Sequence, residues 1–277
     1  MSIAGGLHNA ILAGRDAGCG AIQFFSKQSN QWKAKPLTEN DIASFKKARH
    51  ETGVFPATIH AAYLINLATP QQPAWEKAVD AFVNEMERAE ALEVPYLVIH
   101  PGAHVGSGDE AGIAQAAAAI NEAHQRCPRF TMKILLELTA GQGSCIGHRF
   151  EHIAGMLNRI KENDRVGVCF DTAHVFAAGY ELRTKGGYEE SMAQLDTVIG
   201  LKRVLAFHIN DCKKDLGCRV DRHEHIGQGK MGLAPFSYLM NDARFSGLPM
   251  ILETPKEDDL AEDRMNLATL RGLIRET

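Results

Sequence analysis

No apolar run in this chain approaches the ~20 residues that a membrane-spanning helix needs. Its opening, MSIAGGLHNA, has neither the basic start nor the apolar core of a secretory signal. A cytoplasmic protein that engages no membrane is expected. Paired cysteine motifs are missing as well: Cys19, Cys127, Cys145, Cys169, Cys212 and Cys218 are scattered and never form a CxxC pair. That argues against a disulfide framework or a zinc finger and for reduced thiols. There is no excess of basic charge, with 30 Lys and Arg against 34 Asp and Glu and a formal net charge of -4. On that balance the chain is not a general nucleic-acid binder unless bound cations change its sign. Low-complexity stretches are absent too. What is present is 277 residues, 45% hydrophobic and 23% charged, enough for one large α/β core. A single domain over 1–277 is expected.

Short apolar runs with β-branched or aromatic content recur: AIQFF (21–25), ATI (57–59), YLVI (96–99), KILL (133–136), VGVCF (166–170), VLAF (204–207) and PMIL (249–252). Between them lie segments with apolar residues at i, i+3 and i+4, such as 74–92, 111–126 and 150–163. Continuous apolar strands alternating with helices predict a parallel sheet covered by helices.

The residue that closes each run carries more information. His60, His100, Glu137, Asp171, His208 and Glu253 end six of the seven runs, although His, Asp and Glu together are only about one residue in six of the chain. They recur at intervals of 34 to 45 residues, each about one strand, one helix and two loops. This is the repeat of a (β/α)8 TIM barrel, whose functional residues sit where the strands end. A doubly wound open sheet would instead gather its ligands near one switch point. Only seven strands can be counted, because a Gly-Gly turn leads directly into the first helix. The first barrel strand is therefore missing, and an apolar strand of about five to ten residues is expected upstream of Ser2 in the natural reading frame.

One histidine at a strand end is usually a satisfied core or loop residue. Several acids and imidazoles converging on one barrel mouth repel or stay undersolvated unless cations hold them, so a metal site is favoured. His174 follows Asp171 by three in FDTAHVFAAGY, and the loop after His208 returns Asp221 and His223 to the same rim. The set then holds nine residues: His60, His100, Glu137, Asp171, His174, His208, Asp221, His223 and Glu253. Nine are too many for one zinc, which takes about four ligands, and with a bridging carboxylate they suit three. Four carboxylates with three divalent ions leave the filled site at about +2, matched to a phosphodiester and a hydroxide.

The segments HAAYLINLATP (60–70), IHPGAH (99–104), LELTAGQGSCIGHRFEH (136–152), FDTAHVFAAGYELRT (170–184), HINDCKKDLGCRVDRHEHIGQG (208–229) and ILETP (251–255) resemble those of the endonuclease IV family. That family comprises the zinc-dependent apurinic/apyrimidinic endonucleases, and the resemblance runs from Ser2 through essentially the whole chain. It implies a monomer that hydrolyses the backbone of double-stranded DNA on the 5′ side of abasic sites in base excision repair, leaving a 3′-hydroxyl. It also implies three Zn2+ per chain, with Mn2+ able to replace one. The first is assigned to His60, His100 and Glu137; the second to Glu137 as a bridge with Asp171, His208 and Glu253; the third to His174, Asp221 and His223. Glu137 and Glu253 are the catalytic carboxylates in this reading. Tyr63 and Leu64 match the family's wedge, which fills the gap left by an extruded nucleotide. Where the family carries an arginine before Gln-Trp this chain has Asn30, which implies a lost DNA contact, and Leu138 stands where many relatives have asparagine.

The rival reading is a single-metal sugar isomerase or epimerase of the xylose isomerase-like group, using only Glu137, Asp171, His208 and Glu253. A metal-storing or DNA-binding protein without catalysis is a third. His104 and His225 are expected as supporting or solvated groups, and His8, His50, His124, His148 and His152 as surface or helix histidines. Lys46, Lys47 and Arg49 read as a solvated basic helix edge.

Overall fold

The computed structural model describes residues 1–257 and 259–275. After the opening turn, α1 (His8–Ala17) is followed by alternating strands and helices: β1 (Ile22–Phe25), α2 (Glu39–Thr52), β2 (Ala57–His60), α3 (Gln72–Ala91), β3 (Tyr96–Ile99), α4 (Asp109–Arg126), β4 (Lys133–Glu137), α5 (Phe150–Arg159) and β5 (Val166–Asp171). The second half runs α6 (Thr172–Ala178), α7 (Lys185–Val198), β6 (Val204–His208), β7 (Asp211–Cys212), β8 (His223–Glu224), α8 (Ala234–Met240), β9 (Met250–Ile251) and α9 (Ala261–Gly272).

Seven strands form one sheet in the order β1-β2-β3-β4-β5-β6-β9, and every pairing in it is parallel. This is the TIM-barrel sheet with seven strands among the described residues. Between its two ends, β1 and β9, Met1 and Cys19 line a small cavity with Ile22, Gln23, Met250 and Ile251. The α-amino group of Met1 donates to the Gln23 carbonyl of β1 at 2.5 Å.

Alternation along the strands separates two cores. Residues facing the helices, among them Phe24, Ile59, Leu97, Leu136, Phe170 and Phe207, join the large outer cluster. Val98, Leu135, Cys169 and Ala206 form a separate inner cluster on four consecutive strands. Side chains two residues apart share a face. His100, Glu137, Asp171 and His208 therefore stand one step above Val98, Leu135, Cys169 and Ala206, at the C-terminal mouth.

Helix α5 stops at Arg159, short of the 150–163 span expected from its periodicity. Ile160 turns to an extended conformation there, and the Lys161 amide is caught by Asn121 Oδ1 of α4 at 2.8 Å. Of the histidines expected at the surface or on helices, His124 is on α4 and His152 on α5, both on buried faces, and His148 is buried as well. His148 lies in a loop rather than a helix, its ring 4.7 Å from that of His152. The basic edge of α2 is largely offset by ion pairs of Lys46 and Arg49 with Glu93 and of Lys47 with Glu51.

Candidate metal centre

Each candidate side chain reaches the mouth for a local reason. His60, Glu137, Asp171 and His208 are the last residues of their strands, and His100 immediately follows β3. Asp171 is also the N-cap of α6, its Oδ1 accepting from the His174 amide at 2.8 Å. That capping bond starts the helix at once and turns His174 back over the strand ends. Asp221 and His223 return on the loop closed by the β7–β8 ladder, which pairs Asp211 with Glu224 and Cys212 with His223. The base of this loop is fixed by Asp211, whose buried carboxylate accepts from the amides of Cys212, Gly229 and Met231. Position 229 must be glycine, since a Cβ there would lie 2.4 Å from Asp211 Oδ1.

Glu137 is the centre of the arrangement and is fully buried. Its Oε2 lies 3.1 Å from His60 Nε2 and 3.2 Å from His100 Nε2. Its Oε1 lies 3.0 Å from His208 Nδ1 and 3.1 Å from His174 Nδ1. On the far side, His174 Nε2 and His223 Nε2 are 3.4 Å apart, and Asp221 approaches them at 3.4 and 3.3 Å.

Ring tautomers follow from the other nitrogens. His60, His174 and His223 each set Nδ1 against a main-chain oxygen, of Ala61, Leu138 and Glu253 respectively. Nδ1 must therefore carry a hydrogen, and in the neutral ring Nε2 holds the lone pair. Two lone pairs facing each other at His174 and His223 repel unless a proton or a cation lies between them. Histidines held in this way by a backbone carbonyl are typical of metal ligation. The donor set of imidazole nitrogens and carboxylate oxygens, without a thiolate, fits zinc.

Three groups bring ligand atoms within 4.8 Å of one another: His60, His100 and Glu137; Glu137, Asp171, His208 and Glu253; and Asp171, His174 and His223. The first two coincide with the first and second sets expected from the resemblance. In the third, Asp171 takes the place expected for Asp221, which stays at ion-pair distance from both imidazoles. Electrostatics agree with a cation-seeking mouth. Burial alone would lower the pKa of His174 and His208, but Asp171, Asp221 and Glu137 around the first and Cys169, Glu253 and Glu137 around the second hold both well above the ordinary value. Burial would raise Glu137 and Glu253, but the imidazoles, His208 foremost, hold both below the usual carboxylate range. Without metal the site keeps its protons on imidazole; a metal ion replaces them.

Beside the cluster opens a pocket lined by Tyr63, Asn66, His100, Ala103, Gln142, Cys145, His174 and Asp221. Tyr63 is 59% and Leu64 37% exposed, and the Tyr63 ring lies 5.1 Å from that of His60 and 5.7 Å from that of His100. Asn30 is exposed on the loop after β1. His104 accepts at Nδ1 from the amides of Gly106 and Gly108, and His225 meets Asn266, so both support loops outside the cluster.

Two contributors were missed by sequence reasoning. Gln23 contacts both Glu253 and His208. Buried Asn210 donates to Asp171 Oδ2 and accepts from the Glu253 amide. Both are neutral, and Gln23 lies inside its strand, so a search for charged residues at run ends passes them by.

Residues 11–272 match the family described as the xylose isomerase-like TIM barrel. A probable endonuclease 4 of Chloroflexus aggregans is 50% identical over 277 residues, covering 100% of this chain and 97% of the relative. The crystal structure of endonuclease IV from Thermus thermophilus superposes with a TM-score of 0.87 at 33% identity, covering 99% of this chain and 96% of that one. A D-psicose 3-epimerase from Clostridium cellulolyticum shares the fold alone, with a TM-score of 0.69 at 12% identity over 96% of this chain and 93% of its own. Half its residues match an endonuclease 4 from end to end, whereas the sugar epimerase matches in backbone only, so this chain belongs to the endonuclease IV family.

Proposed function

We propose that the chain is a DNA repair enzyme that hydrolyses the phosphodiester 5′ to an abasic site in duplex DNA, leaving a 3′-hydroxyl. The observation that carries this reading is the convergence of four imidazoles on the two oxygens of buried Glu137, with a half-exposed tyrosine and leucine on the adjacent rim. A single-metal sugar isomerase has no use for His60, His100, His174, Asp221 and His223.

His60, His100 and Glu137 would hold one zinc; Glu137, Asp171, His208 and Glu253 a second; His174, Asp221 and His223 the third, with Asp171 close enough to share. Manganese could stand in for one. Bound divalent ions supply Lewis acidity toward phosphoryl oxygens and ionise a water near neutral pH. Glu253 orients the attacking water with its carboxylate. As the water oxygen bonds to phosphorus, the bond from phosphorus to O3′ breaks and O3′ takes up a proton. Tyr63 and Leu64 enter the duplex and fill the space left by the extruded abasic nucleotide. The filled mouth, at about +2, draws in the DNA backbone that a net charge of -4 would repel. The unpaired cysteines suit a reducing cytoplasm, and the protein acts as a monomer. Among the described residues, no helix is long and apolar enough to cross a membrane.

The test is a duplex with one abasic site, incubated with the metal-loaded chain. A break 5′ to the lesion with a 3′ end that a polymerase extends is expected, lost with a chelator and restored by zinc. An intact duplex would overturn the proposal, and one tightly held ion per chain with ketose-sugar turnover would favour the isomerase.

A further inference from the structure

Gln23 lies on β1, in the only one of the seven apolar runs that does not end in an acid or a histidine, and its side chain is turned into the barrel mouth, 7% exposed. Its amide nitrogen donates to Glu253 Oε1 at 2.6 Å, and its amide oxygen lies 2.8 Å from His208 Nε2. The orientation is forced by chemistry. An ionised carboxylate only accepts, so the NH2 group faces Glu253 and the carbonyl oxygen faces His208. His208 Nε2 must then carry a hydrogen, so that in the neutral ring, the form that binds a metal, the lone pair lies on Nδ1. That atom points at Glu137 Oε1, 3.0 Å away, and Glu253 Oε2, 3.2 Å away.

His208 is thus reversed relative to His60, His174 and His223, which use Nε2 and anchor Nδ1 on main-chain oxygens. Its Nε2 is instead held by this one glutamine. The same glutamine occupies Glu253 Oε1, so the other oxygen of that carboxylate is the one that faces His208.

We propose that Gln23 is a positioning residue of the metal centre, which selects the Nδ1-ligating tautomer of His208 and fixes which oxygen of Glu253 is presented. The inference rests on the metal-centre reading above. A supporting hydrogen bond of this kind is worth about 10- to 100-fold in metal affinity or activity.

Two measurements test it. In the zinc-loaded wild-type chain with nitrogen-labelled histidine, long-range nitrogen–proton NMR correlations should show His208 as the Nε2–H form and His60, His174 and His223 as Nδ1–H forms. A His208 ring protonated on Nδ1 overturns the proposal without any variant. Second, zinc is titrated against a competing chelator into wild type, Gln23→Leu and Gln23→Met, with Thr58→Val as a control that alters a neighbouring buried side chain lacking a hydrogen-bond partner. Both Gln23 variants should weaken one zinc by roughly 10- to 100-fold and lower kcat more than they raise KM, while Thr58→Val leaves zinc affinity unchanged. Gln23 variants with wild-type zinc affinity and kcat, or a Thr58→Val chain impaired to the same degree, would refute the role. A wild-type chain that takes up no zinc would instead sink the metal-centre reading, and this inference with it.

Discussion

Replacing Glu137 by glutamine tests the centre at its most connected point. The carboxylate faces His60 and His100 with one oxygen and His174 and His208 with the other, all within 3.2 Å. The amide keeps the shape but presents one oxygen and one NH2 group and removes the negative charge shared by two ion sites. At an effective dielectric of about 20, a unit charge pair 4 Å apart is worth about 4 kcal/mol, and a divalent ion doubles that. Allowing half for solvent and side-chain relaxation, each of the two sites that share Glu137 loses about 4 kcal/mol. That is roughly a thousand-fold in affinity. The metal-stripped variant should still fold, because an amide can hydrogen-bond the imidazoles around it. Elemental analysis after dialysis against buffered micromolar zinc should find at most one ion per chain, the one among His174, His223 and Asp221. Nicking of an abasic duplex should fall at least about a thousand-fold. A Glu137→Gln chain that keeps three ions, or one that sheds two and still nicks at the wild-type rate, would refute the shared-ligand argument.

His174→Ala or His223→Ala removes one of the two facing Nε2 atoms, so each variant should keep close to two ions and bind abasic DNA less productively; three ions with full activity would contradict this. Tyr63→Ala should leave the melting temperature nearly unchanged, since the side chain is 59% exposed, yet weaken abasic-duplex binding by the ~1–3 kcal/mol of a lost aromatic stack, read by fluorescence anisotropy. His124 concerns stability alone. Burial, with Arg165 adding to it, lowers its pKa to about 4 from 6.5, and its Nδ1 has no partner. Between those values the unfolded chain binds a proton that the folded chain refuses, so folding stability should drop as pH falls, by about 2 kcal/mol between pH 7 and 5. His124→Leu should flatten that part of the profile in denaturant titrations, and an unchanged slope would show that other groups carry it.

Much of the centre was legible because a barrel places every strand's last residue on one rim. A simple rule, the residue type that closes each apolar run, selects His60, His100, Glu137, Asp171, His208 and Glu253 without knowledge of any contact. Spacing added His174, since an acid that ends a strand and caps the next helix leaves the residue three later above the same mouth. It did not show that Asp171 stands as near His223 as it does, because that depends on how the β7–β8 loop folds back.

The sequence by itself determined the order of strands and helices, the parallel sheet they build and the face on which the acids and imidazoles gather, because these follow from periodicity along the chain. Tertiary structure alone decided which nitrogen of His60, His174, His208 and His223 is free, that Gln23 and Asn210 brace the charged groups, and that His124, His148 and His152 are buried. Those outcomes depend on partners far along the chain, such as Gln23 against Glu253 and His208, and no local pattern encodes a hydrogen bond whose two ends are brought together only when the barrel closes.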